Sequence, residues 1–207
     1  MSTTPDFADL LPSDAEVAAY REHGYYVSKK ILPDDLIDAA VAASERFYAG
    51  QRDWETPPLP PGWKPADGDI LRKNDYASLQ MQGLSALVRA PVIGAVAAKL
   101  AGSSVRLWHD QLLFKPPDKP SRKANVGWHT DRGYWKTCTS RGMLTAWIPF
   151  HDCDETMGTI TQIDSSHVWP DNPDGLDFFS NDLEGLESPF NTGGRPVVKV
   201  PMNLKKG

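Results

Sequence analysis

The chain has 207 residues, which is long enough for one domain with its own hydrophobic core. Hydrophobic residues make up 40% and charged residues 24%, a balance that is typical of globular proteins and excludes a disordered or fibrous chain. The formal net charge of −5, without a long run of Lys or Arg, argues against a polyphosphate-binding surface, so we expect no nucleic-acid partner.

The N-terminal residues lack the basic and apolar segments of a signal peptide, and no stretch approaches the roughly 18 apolar residues of a membrane span. Two cysteines, Cys138 and Cys153, are too few and too irregularly placed for a disulfide framework or a zinc site. We therefore expect a cytoplasmic protein without a membrane partner.

A first helix is predicted to begin after Ser13. This serine stands three residues before Glu16, which is a capping-box signature, and Gly24 supplies a stop signal. Residues 25–27, Tyr-Tyr-Val, then favour a short strand.

Further helices are predicted in the first half of the chain. Pro33, followed by two aspartates, favours the start of a helix, whereas five prolines within 51–68 predict a loop. A second helical pattern covers 84–100 and is restarted by an internal proline. Residues 1–103 are therefore interpreted as a helix-rich N-terminal flank.

The second half, residues 104–207, has a β-type pattern of short runs separated by Pro, Gly, Asp and Ser, as in an antiparallel sandwich or jelly roll. We interpret residues 1–207 as one α+β domain, mainly β with flanking N-terminal helices. Residues 168–196 lack periodicity and are predicted to form a lid. The predicted strands are 105–114, 125–131, 143–150, 159–163 and 197–200.

The candidate site begins with His129 and Asp131. On a β-strand, alternate side chains emerge on the same face, so the imidazole and the carboxylate would point together while Thr130 points away. A histidine and a carboxylate supply two of the three ligands of a facial triad, which leaves positions on iron open for a cosubstrate and oxygen. Because the His-x-Asp pattern alone is common, its context decides what it means.

Four motifs supply that context. The first motif covers residues 106–118 and reads Arg-Leu-Trp-His-Asp-Gln-Leu-Leu-Phe-Lys-Pro-Pro-Asp. The second is Trp-His-Thr-Asp at 128–131. Two further motifs follow. They are Leu-Thr-Ala-Trp-Ile-Pro-Phe at 144–150 and Gly-Thr-Ile-Thr-Gln-Ile-Asp-Ser-Ser-His at 158–167. In order and spacing, these motifs resemble those of the phytanoyl-CoA dioxygenase family, and the resemblance covers about residues 15–207.

The resemblance implies a double-stranded β-helix in which His129 and Asp131 bind Fe(II), with 2-oxoglutarate as cosubstrate and O2 as oxidant. By position, Gln111 and Trp147 match family residues that line the cosubstrate pocket, and Arg72 matches a basic residue near it. The implied activity is a dioxygenase that hydroxylates or otherwise oxidises an unactivated C–H bond of a small-molecule substrate. Asp131 favours hydroxylation, since family relatives that halogenate generally lack this carboxylate.

Other histidines leave two alternatives open. His109 lies on the same side of a regular strand as Gln111 and is interpreted as a core or rim residue, whereas His151 is expected at the surface. His167 could complete a triad, which would make the protein a cupin-like metal enzyme without 2-oxoglutarate. A further alternative is a catalytically inactive jelly-roll fragment or binding module.

The resemblance also predicts two further site residues beyond these 207 residues. In the family, a third ligand, a histidine, lies on a later strand and is followed by an arginine that pairs with the far carboxylate of 2-oxoglutarate. We therefore expect both, with the final strands, after Gly207 in a longer protein, and no succinate formation by the chain that ends there. Within 158–167, Asp164 and Ser165 stand where the family usually has Pro-Gly.

Overall fold

The computed structural model describes residues 7–117, 124–135, 138–140, 142–169 and 193–207. Its α-helices are α1 (Asp14–His23), α2 (Asp34–Tyr48), α3 (Gln82–Val88), α4 (Pro91–Ala101) and α5 (Asp131–Tyr134). Its strands are β1 (Arg72–Asp75), β2 (Gln111–Phe114), β3 (Thr161–Ile163) and β4 (Lys199–Pro201). Short 3-10 turns lie at Ala8–Leu10, Pro65–Asp67, Ala77–Leu79, Glu155–Met157 and Ser166–Val168.

The caps of α1 follow from its sequence. The Oγ of Ser13 accepts a hydrogen bond from the N–H of Glu16 at 3.3 Å, and the Glu16 carboxylate accepts one from the N–H of Ser13 at 2.7 Å. Gly24 has a φ of 86° and donates its N–H to the Tyr20 carbonyl at 2.8 Å. The predicted start and stop of this helix are confirmed, whereas residues 25–27 form no strand.

The core lies mainly among the N-terminal helices, and α2 packs closely against α3. A Cβ atom added to Gly83 would lie 2.4 Å from the carbonyl oxygen of Ala39 and 2.9 Å from the Cβ of Ala43. Glycine therefore permits an approach of the two backbones that a larger residue would block. The side chains of Ile37 and Met81 are fully buried in this core, and each such burial contributes roughly 1.5–3 kcal/mol.

β1 and β2 form an antiparallel pair that rests on this helical layer. Their register pairs Arg72 with Phe114 and Asp75 with Gln111. Because directly paired residues share a face and neighbours along a strand alternate, Arg72 and Phe114 lie on the same face as Leu112. Leu112 is buried in the core, so Asp75 and Gln111 lie on the opposite face of the pair.

β3 and β4 form a second antiparallel pair, with Ile163 opposite Lys199. The end of the chain packs back on the N-terminal flank, since the carbonyl oxygen of Gly207 accepts a hydrogen bond from the N–H of Ile31 at 3.2 Å. The turn after β3 contacts the end of α1. These contacts hold the C-terminal residues against the helices.

The predicted jelly-roll strands are found only in part. The ranges 105–114 and 159–163 each contain a shorter strand, and 197–200 overlaps β4, whereas 125–131 and 143–150 contain none among their described residues. In the part of the chain that the structure describes, each sheet has two strands. Strand propensity depends on cross-strand partners, so an apolar run without one remains irregular. Most of the predicted lid, residues 170–192, lies outside the described residues.

The segment Gln82–Ala101, which comprises α3 and α4, is long and apolar enough to cross a membrane, with a mean hydropathy of 1.6. This differs from the expectation that no stretch of the chain reaches that length. A single segment of this kind is weak evidence for a membrane span, because core helices meet the same criteria. Leu84, Val92 and Leu100 of this segment are buried, and we interpret the two helices as part of the core.

Candidate metal centre

His129 and Asp131 bring two potential metal ligands together. The Nε2 atom of His129 lies 3.6 Å from the Oδ1 atom of Asp131, and their side chains are 23% and 38% exposed. Two ligand atoms at about 2.0–2.2 Å from one ion are separated by about 3–4 Å. The distance expected between the two ligand atoms is therefore found.

The backbone that carries this pair differs from the prediction. Thr130 is extended, with φ −112° and ψ 133°, and caps α5, whose first residue is Asp131. The N–H of Trp135 then donates to the Asp131 carbonyl at 3.1 Å, which is a helical bond. The prediction that His129 and Asp131 share one strand is thus wrong, because the chain turns into a helix at Asp131.

The imidazole of His129 is oriented by its own chain. Its Nδ1 atom lies 2.7 Å from the carbonyl oxygen of Gly127. A carbonyl only accepts hydrogen bonds, so Nδ1 carries the donated proton, and in the neutral ring Nε2 keeps its lone pair. Such a bond fixes the tautomer and ring orientation of a metal-binding histidine.

Asp131 is also held in place. The Thr145 hydroxyl donates a hydrogen bond to its Oδ2 atom. Burial would raise the pKa of Asp131, but hydrogen bonds from His129 and Thr145, with the charges of His129 and His109, lower it overall. Burial would lower the pKa of His129, yet its hydrogen bonds to Asp131 and Gly127 and the charge of Asp131 raise it overall. The Asp131 carboxylate is consequently ionised over a wide pH range.

The arrangement fits two of the ligands of a facial triad. Among the described residues, no group of three or more His, Cys, Asp or Glu side chains is placed to hold one ion. His167 lies elsewhere, with its Nε2 atom 3.1 Å from the carbonyl oxygen of Arg21 at the end of α1. The structure therefore does not bring His167 to the pair, which removes the support for the cupin-like alternative.

The three predicted cosubstrate residues lie in different surroundings. Gln111 is half-buried at the start of β2, and Trp147 is 38% exposed in an irregular segment. Arg72 lies on the opposite face of the β1–β2 pair from Gln111, with its guanidinium carbon 4.4 Å from the ring centre of Trp63 and 4.6 Å from that of Phe114. The register thus does not bring Arg72 to the face of Gln111, and contact of these residues with a cosubstrate stays a prediction.

The sequence interpretation missed Thr145, which contacts Asp131, and two charged residues on the face of Gln111. No sequence pattern points to Thr145 as a site residue, because its contact with Asp131 joins separate segments of the chain. Asp75 and Lys73 lie on the face of Gln111, where the Nζ atom of Lys73 is 3.0 Å from Oδ1 of Asp75. The alternation of side chains along β1 could have separated Lys73 from Arg72, but only once the register with β2 was known.

Two solved structures share this fold. One is described as the non-heme alpha ketoglutarate dependent carbocyclase SnoK from nogalamycin biosynthesis, with a TM-score of 0.64, 22% identity, and coverage of 99% of this chain and 75% of that chain. The other is the epimerase SnoN in complex with Fe3+, alpha ketoglutarate and nogalamycin RO, with a TM-score of 0.69, 24% identity, and coverage of 98% and 73%. At these identities the likeness establishes a common fold with such enzymes. No curated protein matches the chain.

The family assignment comes from the sequence itself. The family model for phytanoyl-CoA dioxygenase (PhyH) matches residues 20–205, which is most of the chain. The chain therefore belongs to the phytanoyl-CoA dioxygenase family, and the resemblance carried by its motifs is confirmed. The family match includes both His129 and Asp131.

Proposed function

We propose that this protein is an Fe(II)- and 2-oxoglutarate-dependent oxygenase that oxidises a C–H bond of a small molecule. The observation that carries the proposal is the 3.6 Å separation of His129 Nε2 and Asp131 Oδ1, two ligand atoms of the types that non-haem iron binds. Family membership over residues 20–205 supports it.

Each residue of the site has a defined task under this proposal. His129 and Asp131 would hold the ion, and the Gly127 carbonyl fixes the neutral imidazole of His129 in the tautomer whose Nε2 lone pair faces Asp131. Thr145 fixes the second oxygen of Asp131, so that Oδ1 remains for the ion. When bound, Fe(II) and 2-oxoglutarate supply the activation of O2 that protein side chains cannot provide.

The proposed function includes several types of oxidation, which differ in their products. The ionised Asp131 occupies the position that a halide would need, which favours hydroxylation. Since the two structures that share this fold are described as a carbocyclase and an epimerase, ring closure and inversion of a carbon centre are the other outcomes to examine. Products should therefore be identified by mass and stereochemistry as well as by oxygen content.

The decisive assay measures succinate formed from 2-oxoglutarate under Fe(II), ascorbate and O2 by the product of the complete reading frame. We expect turnover that requires each of these components and is lost in His129→Ala and in Asp131→Ala. His151→Ala is the matched control, because His151 is exposed and bonded to the carbonyl of Asp152. Metal binding without succinate formation would instead support the inactive binding module.

A further inference from the structure

His109 is a buried histidine beside the candidate metal centre. Its side chain is 8% exposed, and its Nε2 atom lies 3.4 Å from the Oδ1 atom of Asp75. It precedes β2 by two residues, and its contact with Asp75 places it at the face of the β1–β2 pair that carries Asp75 and Gln111. Trp135 links it to the metal pair, since the ring centres of His109 and Trp135 lie 5.4 Å apart and the N–H of Trp135 donates to the Asp131 carbonyl at 3.1 Å.

Asp75 is a fixed partner for this imidazole. The Asp75 carboxylate is held by the Nζ atom of Lys73 at 3.0 and 3.2 Å from its two oxygens. A carboxylate fixed in this way orients the histidine that it contacts. The Nε2 atom of His109 faces this carboxylate at 3.4 Å. A hydrogen bond from the imidazole to a ligand would contribute about 0.5–1.5 kcal/mol net.

Three aromatic rings contact the imidazole. The ring centres of Tyr76, Trp135 and Trp108 lie 4.9, 5.4 and 5.5 Å from that of His109. Trp108 and Trp135 meet edge to face, with centres 5.2 Å apart and planes at 70°. Tyr76, Trp108 and Trp135 together form an aromatic wall around His109. Trp108 is 45% exposed, so this wall has ring surface open to a ligand.

The wall is continuous with the metal pair. Trp135 directly follows α5, which begins at Asp131, and Tyr134 of the same helix lies 5.8 Å from the ring centre of His129. The wall offers aromatic surface for stacking, and His109 and Asp75 offer a polar end. Aromatic pairs contribute about 0.5–1.5 kcal/mol beyond burial, which favours a flat aromatic ring over an aliphatic chain.

We propose that His109, held by Asp75, is a specificity-determining residue that binds a hydroxyl group on an aromatic ring of the substrate, while Trp108 and Trp135 pack against that ring. This inference names a substrate class for the proposed oxygenase and rests on that proposed function for its biological meaning. Binding of the ring requires neither iron nor 2-oxoglutarate, so it is tested separately from turnover.

The test measures binding of 2-naphthol and of naphthalene, which lacks the hydroxyl, to the metal-free product of the complete reading frame by equilibrium dialysis. We expect the native protein to prefer 2-naphthol by about three- to tenfold, the value of one net hydrogen bond. His109→Phe keeps a ring against Tyr76 and removes both nitrogens, so it should bind both probes equally. His109→Gln keeps a donor and should retain part of the preference.

Further variants keep the test decisive. Asp75→Asn removes the charge that holds His109 and should reduce the preference, which gives a result even if His109→Phe fails to fold. His151→Phe, at an exposed histidine, should leave the preference unchanged. Equal binding of the two probes by the native protein, no binding of either, or a preference that survives in His109→Phe would overturn the inference. Succinate formation in the separate assay shows whether the proposed function itself holds.

Discussion

The Nδ1 atom of His129 donates its proton to the carbonyl oxygen of Gly127, two residues earlier, at 2.7 Å. In the neutral imidazole this leaves the lone pair of Nε2 facing Asp131 Oδ1 at 3.6 Å. The same bond and the carboxylate also stabilise the protonated ring, which raises the pKa of His129 overall against the lowering effect of burial. Under the proposed function, a proton and a metal ion would therefore compete for Nε2.

The first prediction is a pH dependence of metal affinity. As pH falls through the raised pKa of His129, Nε2 gains a proton, and affinity should fall by about tenfold per pH unit for one competing proton. Asp131, whose pKa is lowered overall, stays ionised in that range. Calorimetry with Co2+ in two buffers of different ionisation enthalpy should detect proton release near neutral pH. A constant affinity between about pH 5 and 8 would contradict competition at this histidine.

The second prediction concerns the hydroxyl that orients Asp131. Thr145→Val keeps the shape of the side chain but removes the hydrogen bond to Oδ2, and we expect Co2+ affinity to fall by about tenfold or more. Thr156→Val is the matched control, because its hydroxyl bonds the exposed Asp154 carboxylate at 2.6 Å away from the site. If the two variants change affinity equally, Thr145 has no special role at the metal.

The third prediction compares two helical glycines. A Cβ atom at Gly83 would clash with the Ala39 carbonyl oxygen at 2.4 Å, whereas a Cβ atom at Gly94 in α4 meets nothing within 4 Å. Gly83→Ala should lower the free energy of unfolding by about 1–3 kcal/mol. Gly94→Ala should raise it by about 0.5–1 kcal/mol, since alanine favours the helix. Urea denaturation of both variants checks the contrast, and similar values would mean that α2 and α3 can separate at little cost.

The sequence predicted the helices well because their signals are local. Ser13 and Glu16 cap the same helix that they begin, and Gly24 adopts the left-handed conformation that ends it. The His129–Asp131 pair was also identifiable, because two side chains separated by a single residue are close in either a strand or a turn. Local signals therefore sufficed for the pair, although they gave the wrong backbone conformation for it.

The structure of the β-type half of the chain is harder to predict from sequence, because strand pairing is a long-range property. Arg72 was placed near the cosubstrate, yet its pairing with Phe114, which turns it to the core-facing side, depends on a register that no local pattern specifies. The contacts of His109 with Asp75 and Trp135 likewise join three separate segments. Sequence alone identified His109 as a core or rim residue, which agrees with its burial but gives no partner.

The turn after β3 shows how two residues that differ from the family pattern can fit the chain. Ser165 has a φ of 57°, the left-handed conformation that glycine adopts most readily. Asp164 uses its N–H to donate to the Val198 carbonyl at 2.9 Å, a bond that proline cannot make, and its Oδ1 lies 2.8 Å from Nδ1 of His23. The serine thus retains a glycine-like turn, while the aspartate adds contacts to α1 and to the residue before β4.

The fourth prediction restores the family residues one at a time. Asp164→Pro should lower the free energy of unfolding by about 2–3 kcal/mol, because it removes the bond to Val198 together with the pair to His23. Asp164→Asn keeps the N–H and changes only the side-chain contacts with His23 and Ser165, so its cost should be clearly smaller than that of the proline variant. Ser165→Gly should change stability by less than about 1 kcal/mol, since relief of the left-handed conformation offsets the lost hydroxyl bond to the Glu22 carbonyl. Chemical denaturation of the three variants measures these differences. Equal costs for the proline and asparagine variants would show that the backbone N–H of Asp164 and its bond to the Val198 carbonyl contribute nothing to stability.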